Sequence, residues 1–250
     1  MINLTDKDWY RLHEEFITNE PYNHIIIDNL FNAEIANNIY ESLPDYNSDK
    51  IDANYNNPIE RKKTIQNWTT FNATIYKVMS YFVGTEFTQY MRILTGQKNL
   101  EADYGLHGGG IHMHGNGDYL NVHYDYDIHP KLKKQRKLNI ITYFTPDWKE
   151  EWNGHLELWS HDVKNNQPKE CVKRVLPKFN RSIIFDTTQN SWHGLPIPLN
   201  TPAGVLRRSL AVYYVIPTDI KESRMKALFA PTETQKSDQD VLDFIKRRSQ

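Results

Sequence analysis

Apolar positions recur at helical spacing near the start of the chain and at strand spacing through its middle. Trp9, Leu12 and Phe16 share one helical face, and Thr5 followed by Asp8 has the form of a capping box, so a helix is predicted over 5–18. The β-branched run at 24–28 predicts a strand. Asn32 then caps a helix that carries Ile35, Ile39 and Leu43 on one face and stops before Pro44. Residues 45–66 are rich in Asn and Asp and lose all period, which predicts a loop or a mobile flap. Helical spacing returns from Thr69 to Leu94, first in Ile75, Met79 and Phe82 and then in Phe87, Met91 and Leu94. Gly84-Thr85 breaks the two segments and opens the second, and Gly96 closes it.

Beyond Gly96 the pattern shortens. Segments at 119–124, 138–144, 155–159, 181–185 and 206–215 are β-rich and are separated by Gly, Pro and Asn. After Pro217 the chain is polar and helical, with Val241, Leu242 and Ile245 as anchors of an amphipathic tail. The fold class predicted is mainly β with flanking helices, around a double-stranded β-helix (jelly-roll) core of roughly eight strands. Its organisation would be an N-terminal strand and helices over 1–97, the core over 98–217 and a helical tail over 218–250, all within one domain. There is no internal repeat and no low-complexity tract.

Composition narrows the partners. A formal net charge of −1 and two short basic runs, 131–137 and 246–248, argue against nucleic acid. A single cysteine, Cys171, excludes an internal disulfide framework and fits a reducing compartment. The first residues lack an apolar signal core, and no run is long enough to span a bilayer, so a soluble, cytoplasmic protein is expected.

The chemistry centres on Leu120-Asn121-Val122-His123-Tyr124-Asp125-Tyr126-Asp127. In extended backbone His123 and Asp125 point to one face and Tyr124 to the other. An imidazole and a carboxylate make half of a metal site, and His193, in Ser191-Trp192-His193-Gly194, is the candidate third ligand. Two imidazoles and one carboxylate on one side of an ion leave the other side open, the arrangement of non-haem Fe(II) oxygenases. Zinc could use the same ligands, but a closed structural zinc site would need a fourth, and Cys171 is the only thiol. The rival pair His112-x-His114 is similar to the first ligands of cupin metal sites, yet no carboxylate follows at the cupin spacing. Alternation over 204–214 puts Arg207, Ser209, Ala211 and Tyr213 on one face and Arg208, Leu210, Val212 and Tyr214 on the other. The first face suits a pocket floor, where a guanidinium fork and a hydroxyl could hold the distal carboxylate of a dicarboxylic acid.

Together these residues resemble the Fe(II)/2-oxoglutarate-dependent dioxygenases, in their prolyl 4-hydroxylase-like branch. The likeness extends through 136–144, Trp148, 152–159, 180–185, 191–194 and the opening strand and helix of 24–43, covering most of 22–230. It implies His123, Asp125 and His193 as Fe(II) ligands, Arg207 with Ser209 as the 2-oxoglutarate anchor, and O2 and a prime substrate as further partners. Succinate and CO2 would be released as the substrate carbon is hydroxylated. Asp125 argues against a halogenase, which lacks that carboxylate. Asn153 stands where the branch most often has glycine, and arginine replaces the lysine of its collagen-type members. A tyrosine often precedes the first ligand in this branch, and Tyr119 is the nearest candidate. Tyr126, Asp127, His129, Trp148 and Trp152 are candidates for the substrate entrance, and residues 45–66 for a lid. The competing expectations are a non-catalytic jelly-roll binding module and a cupin-like metalloprotein built on His112 and His114.

Overall fold

Alternating apolar positions bring thirteen strands, among the described residues, into one antiparallel sheet that curls upon itself. The computed structural model describes residues 1–219, 224 and 226–249. In chain order the elements open with α1 (Asp6–Thr18), β1 (His24–Ile27), α2 (Ala33–Ser42), β2 (Ala53–Asn57), β3 (Glu60–Ile65), α3 (Ala73–Val83) and α4 (Thr85–Thr95). The strand-rich part follows: β4 (Glu101–Ala102), β5 (Gly110–His114), β6 (Tyr119–Tyr124), β7 (Gln135–Tyr143), β8 (Leu156–Asp162) and β9 (Gln167–Val175). It closes with β10 (Ser182–Asp186), β11 (Trp192–Leu195), β12 (Arg207–Ile216), β13 (Leu228–Phe229) and α5 (Gln239–Ser249).

The strand order β1-β10-β7-β12-β5-β3-β6-β11-β8-β9 describes two walls joined by β3. One wall is β1-β10-β7-β12-β5 and the other β6-β11-β8-β9. The eight strands β5 to β12 form the double-stranded β-helix. Helices α1 to α4 cover the outside of the first wall, where Leu138, Ile140, Ile184, Leu210, Val212 and Tyr214 join the helical residues Trp9, Ile39, Phe82 and Phe87 in the main core. The opposite phase of the same strands faces inward, so Tyr143, Ile183 and Phe185 meet Leu156 and Leu158 between the walls. Burying both faces gives the near-continuous buried run of β12, from Ser209 to Val215.

The predicted caps form as local chemistry dictates. Thr5 and Asp8 complete the capping box of α1, and the Asn32 side chain accepts from the Ile35 amide. Gly84 separates α3 from α4, and Gly96 adopts the left-handed conformation that ends α4.

The stretch 45–66 is not a loop. It forms the hairpin β2–β3, and β3 pairs with β5 on one side and β6 on the other, closing the gap between the walls. Its polar, Asn- and Lys-rich sequence hides a strand because only Glu60, Thr64 and Ile65 of β3 are buried. Gly110 permits the approach: at φ +87° its position lies so close to the Ile65 carbonyl that a Cβ would sit 2.2 Å from that oxygen. Strands β9 and β5 also lay outside the predicted segments, β9 because it is a mostly exposed polar strand. The N-terminal 97 residues contribute β1, β2 and β3 to the same sheet as the core. In the 218–250 tail, Val241 and Ile245 of α5 pack on Ile59 at the hairpin turn, while residues 220–223, 225 and 250 lie outside the described residues.

Candidate active site

Register places the candidate ligands together. Strand β11 pairs with β6 so that His193 lies directly opposite His123, with ring centroids 4.3 Å apart. Asp125 follows two residues on, and its Oδ1 is 3.7 Å from His123 Nε2. One ligand atom from each of His123, Asp125 and His193 lies within 4.8 Å of the others, and this is the metal-capable cluster found among the described residues. A close approach makes the pairing possible: a Cβ at Gly194 would lie 2.8 Å from both the Asn121 carbonyl oxygen and the Val122 Cα.

The surroundings prepare these groups as ligands. His123 Nδ1 lies 3.0 Å from the Asn121 carbonyl and His193 Nδ1 2.8 Å from the Ser191 carbonyl. Carbonyl oxygens only accept, so each Nδ1 carries a proton and Nε2 is the ring atom left to face a metal. Burial, with His193 alongside, pushes His123 down to about 3 and keeps it neutral at pH 7. Burial alone would raise Asp125, but His193, Arg136, His123 and the Tyr213 hydroxyl override it and hold the carboxyl at about 2. Two imidazoles and a carboxylate of this spacing fit a divalent metal such as Fe(II).

The C-terminal segment fastens the ligand strand from outside. Arg224 donates to the Asp125 carbonyl, pairs with Asp127 at 2.5 Å and lies over the Tyr124 ring. Strand β13 pairs Phe229 with His123, and the two rings stack 5.2 Å apart.

Beside the ligands, the inner face of the first wall is a ladder of polar rungs. Strand β12 sets Arg207 opposite His114 and Ser209 opposite His112, and on its other side Ser209 opposite Tyr143 and Tyr213 opposite Asn139. Arg207 is 4% exposed, donates from Nε to the Gly154 carbonyl at 2.8 Å and lies over the Tyr143 ring. It makes no ion pair among the described residues, and burial pushes its pKa down. A buried guanidinium with no ion pair among the described residues, beside the Tyr143 hydroxyl, fits the distal carboxylate of 2-oxoglutarate. Arg208 points to the helical side, over the Tyr40 ring.

The other expectations fare differently. Tyr119 is half-buried and donates its hydroxyl to the Asn57 carbonyl in the hairpin; it is not brought to Arg207. His112 and His114 face Ser209 and Arg207 with no carboxylate beside them, so they form no second metal cluster among the described residues. Asn153 takes φ +61° and bonds through its side chain to the Pro198 carbonyl, which keeps the Gly154 turn against Arg207. Trp148 and Trp152 pack edge to face beside that turn. His129 is buried and paired with Asp103. Tyr126 stacks on Arg136, whose other face covers Tyr213. Arg136, Tyr143 and Tyr213 were not singled out as site residues from sequence. The signal for Tyr143 and Tyr213 was strand phase, since both share a face with Ser209, whereas Arg136 has the phase of Leu138 and Ile140 and lies beyond a register shift that sequence does not show.

The fold and these side chains define a jelly-roll protein in which a His-Asp-His cluster that could hold a metal and a buried arginine lie on the inner faces of the two walls. Comparison places it more closely: residues 109–215 match the family model of the 2OG-Fe(II) oxygenase superfamily. The chain is 33% identical over 58 residues to the prolyl 3-hydroxylase OGFOD1 of Mus musculus, a match covering 23% of this chain and 10% of that protein. It thus spans about a tenth of the length of the curated relatives it matches. A prolyl-4-hydroxylase of Pseudomonas putida superposes with TM-score 0.57 at 10% identity, over 84% of this chain and 100% of the other. HygX of Streptomyces hygroscopicus, with nickel, 2-oxoglutarate and hygromycin B bound, gives 0.52 at 12% identity over 87% and 89%. No described helix is long and apolar enough to cross a membrane.

Proposed function

We propose that this chain is an Fe(II)- and 2-oxoglutarate-dependent dioxygenase that hydroxylates an unactivated carbon of a small-molecule, saccharide-linked or peptidyl substrate, releasing succinate and CO2. The observation that carries it is the coexistence, between the same two walls, of three ligand atoms within 4.8 Å and a buried Arg207 that makes no ion pair among the described residues, linked through Tyr143 and Phe185. Bound Fe(II) with 2-oxoglutarate supplies the oxidising chemistry. His123, Asp125 and His193 would hold the metal. Arg207, with Ser209, orients the distal carboxylate, and Tyr213 keeps Oδ2 of Asp125 occupied so that Oδ1 faces the metal position. The apolar residues Ile183, Phe185 and Leu158 exclude water around the reacting centre.

Relatives widen the substrate screen: OGFOD1 is a prolyl 3-hydroxylase, and HygX was solved with hygromycin B. The test is anaerobic addition of Fe(II) and 2-oxoglutarate. A weak visible charge-transfer band that is lost in Asp125→Ala supports the function, and its absence at saturating ligand refutes it. Mass-spectrometric detection of succinate across peptidyl, amino-acid and saccharide-linked candidates then identifies the prime substrate.

A further inference from the structure

His114 is the residue in the chamber that the ligand set leaves unexplained. It is 2% exposed, and neither ring nitrogen has a hydrogen-bond partner. Buried imidazoles normally satisfy at least one nitrogen, and leaving both unbonded is costly. Its neighbour His112 differs, since that ring reaches the Gly109 carbonyl at 3.2 Å. Register puts His114 directly opposite Arg207, on the same inward face, and the buried hydroxyl of Thr64 on the adjoining rung is also unpartnered. The unsatisfied polar atoms therefore gather around the buried Arg207 guanidinium, which makes no ion pair among the described residues.

Resting on the function proposed above, we infer that His114 is a second anchor of 2-oxoglutarate, donating a ring N–H to the distal carboxylate that Arg207 holds. Arg207 has already committed its Nε to the Gly154 carbonyl, so only its terminal amino groups remain for the ligand. A carboxylate offers about four lone-pair sites, more than those groups fill. Burial and the neighbouring Arg207 keep His114 neutral, so it adds a donor without adding charge. One carboxylate then meets one formal positive charge and one neutral donor, a balanced arrangement for a buried anion. The hairpin strand β3, through Thr64, closes the chamber on the side away from Tyr143.

The test compares two ligands that share the 2-oxoacid head: 2-oxoglutarate, and 2-oxopentanoate, in which a methyl replaces the distal carboxylate. Dissociation constants are measured calorimetrically on the Fe(II)-loaded protein under anaerobic conditions. His114→Leu should weaken 2-oxoglutarate by at least about tenfold, the loss of one hydrogen bond to a charged group, and leave 2-oxopentanoate unchanged. His114→Gln, which retains an N–H donor, should recover part of the loss and guards against a folding defect in the leucine variant. Equal weakening of both ligands would mean a structural role and would overturn the inference, as would unaltered affinity for 2-oxoglutarate. Failure of the unsubstituted protein to bind 2-oxoglutarate is a separate result, which would overturn the proposed function and this anchor with it.

Discussion

Tyr213 donates its hydroxyl to Oδ2 of Asp125 across 2.9 Å, joining the last core strand to the segment that carries the first two ligands. The bond orients the carboxylate from behind, as outer partners of metal ligands do. Tyr213→Phe should lower metal affinity by about 10–100-fold while the protein stays folded. Competition between the variant and a chelator for Co(II) measures it, and unchanged affinity would show that the tyrosine is packing only.

Metal should also be a stabilising ligand of the folded chain. A ligand that binds only the native state adds about 2.7 kcal/mol at a hundredfold excess over its dissociation constant. Thermal melts with and without Co(II) should therefore show a rise in Tm that a chelator reverses. The rise should vanish in His123→Ala, Asp125→Ala and His193→Ala and persist in His112→Ala, a residue outside the cluster. Loss of the rise in His112→Ala alone would favour the cupin-like arrangement.

Gly194 sits where β11 passes closest to β6, with the Asn121 carbonyl and the Val122 Cα each 2.8 Å from a Cβ built there. Both are backbone, so neither can swing aside, and Gly194→Ala must part the strands. His193 and His123 would separate with them. The expected outcome is a large loss of Co(II) affinity together with a lowered Tm, and a variant that binds metal normally would contradict the close packing.

Cys171 should be a slow thiol. Burial, with the Glu157 carboxylate nearby, pushes it up to about 11. At pH 8 its thiolate fraction would be about a hundredth or less of that of a free cysteine. Alkylation by iodoacetamide should be slower in proportion, and Glu157→Gln should speed it by removing one of the charges that oppose ionisation. Rapid labelling of the unsubstituted protein would contradict this.

Much of the site was legible because strand phase is a local property. His123 and Asp125 share a face by period two, and the same alternation separates Arg207 from Arg208. Helix caps at Thr5 and Asn32 and the stop at Gly96 depend on one or two side chains each, and they too could be read directly. The hairpin β2–β3 could not, because its strands owe their existence to pairing with β5 and β6 rather than to apolar alternation. The place of His114 was not legible for a related reason. In sequence it belongs to a His-x-His pair, and only the register against β12 sets it opposite Arg207 instead of a metal. Tyr119 failed as a pocket residue on the same account: its hydroxyl is taken by Asn57 of a strand that sequence periodicity does not reveal.

The two arginines of β12 should separate function from stability. Arg207 is a buried cation with neutral partners, the Gly154 carbonyl and Tyr143, and no ion pair among the described residues. Such a group is held at a desolvation cost that only a bound anion offsets. Replacing it with methionine, similar in length and apolar, should leave the Tm of the ligand-free protein unchanged or higher, yet abolish measurable 2-oxoglutarate binding. Arg208 lies over the Tyr40 ring against the helical layer, so Arg208→Met should lose some packing but keep the ligand's affinity. Calorimetric titration and thermal melts on both variants distinguish the cases. If Arg208→Met lost 2-oxoglutarate and Arg207→Met retained it, the inward phase assigned to Arg207 could not be the one the ligand uses.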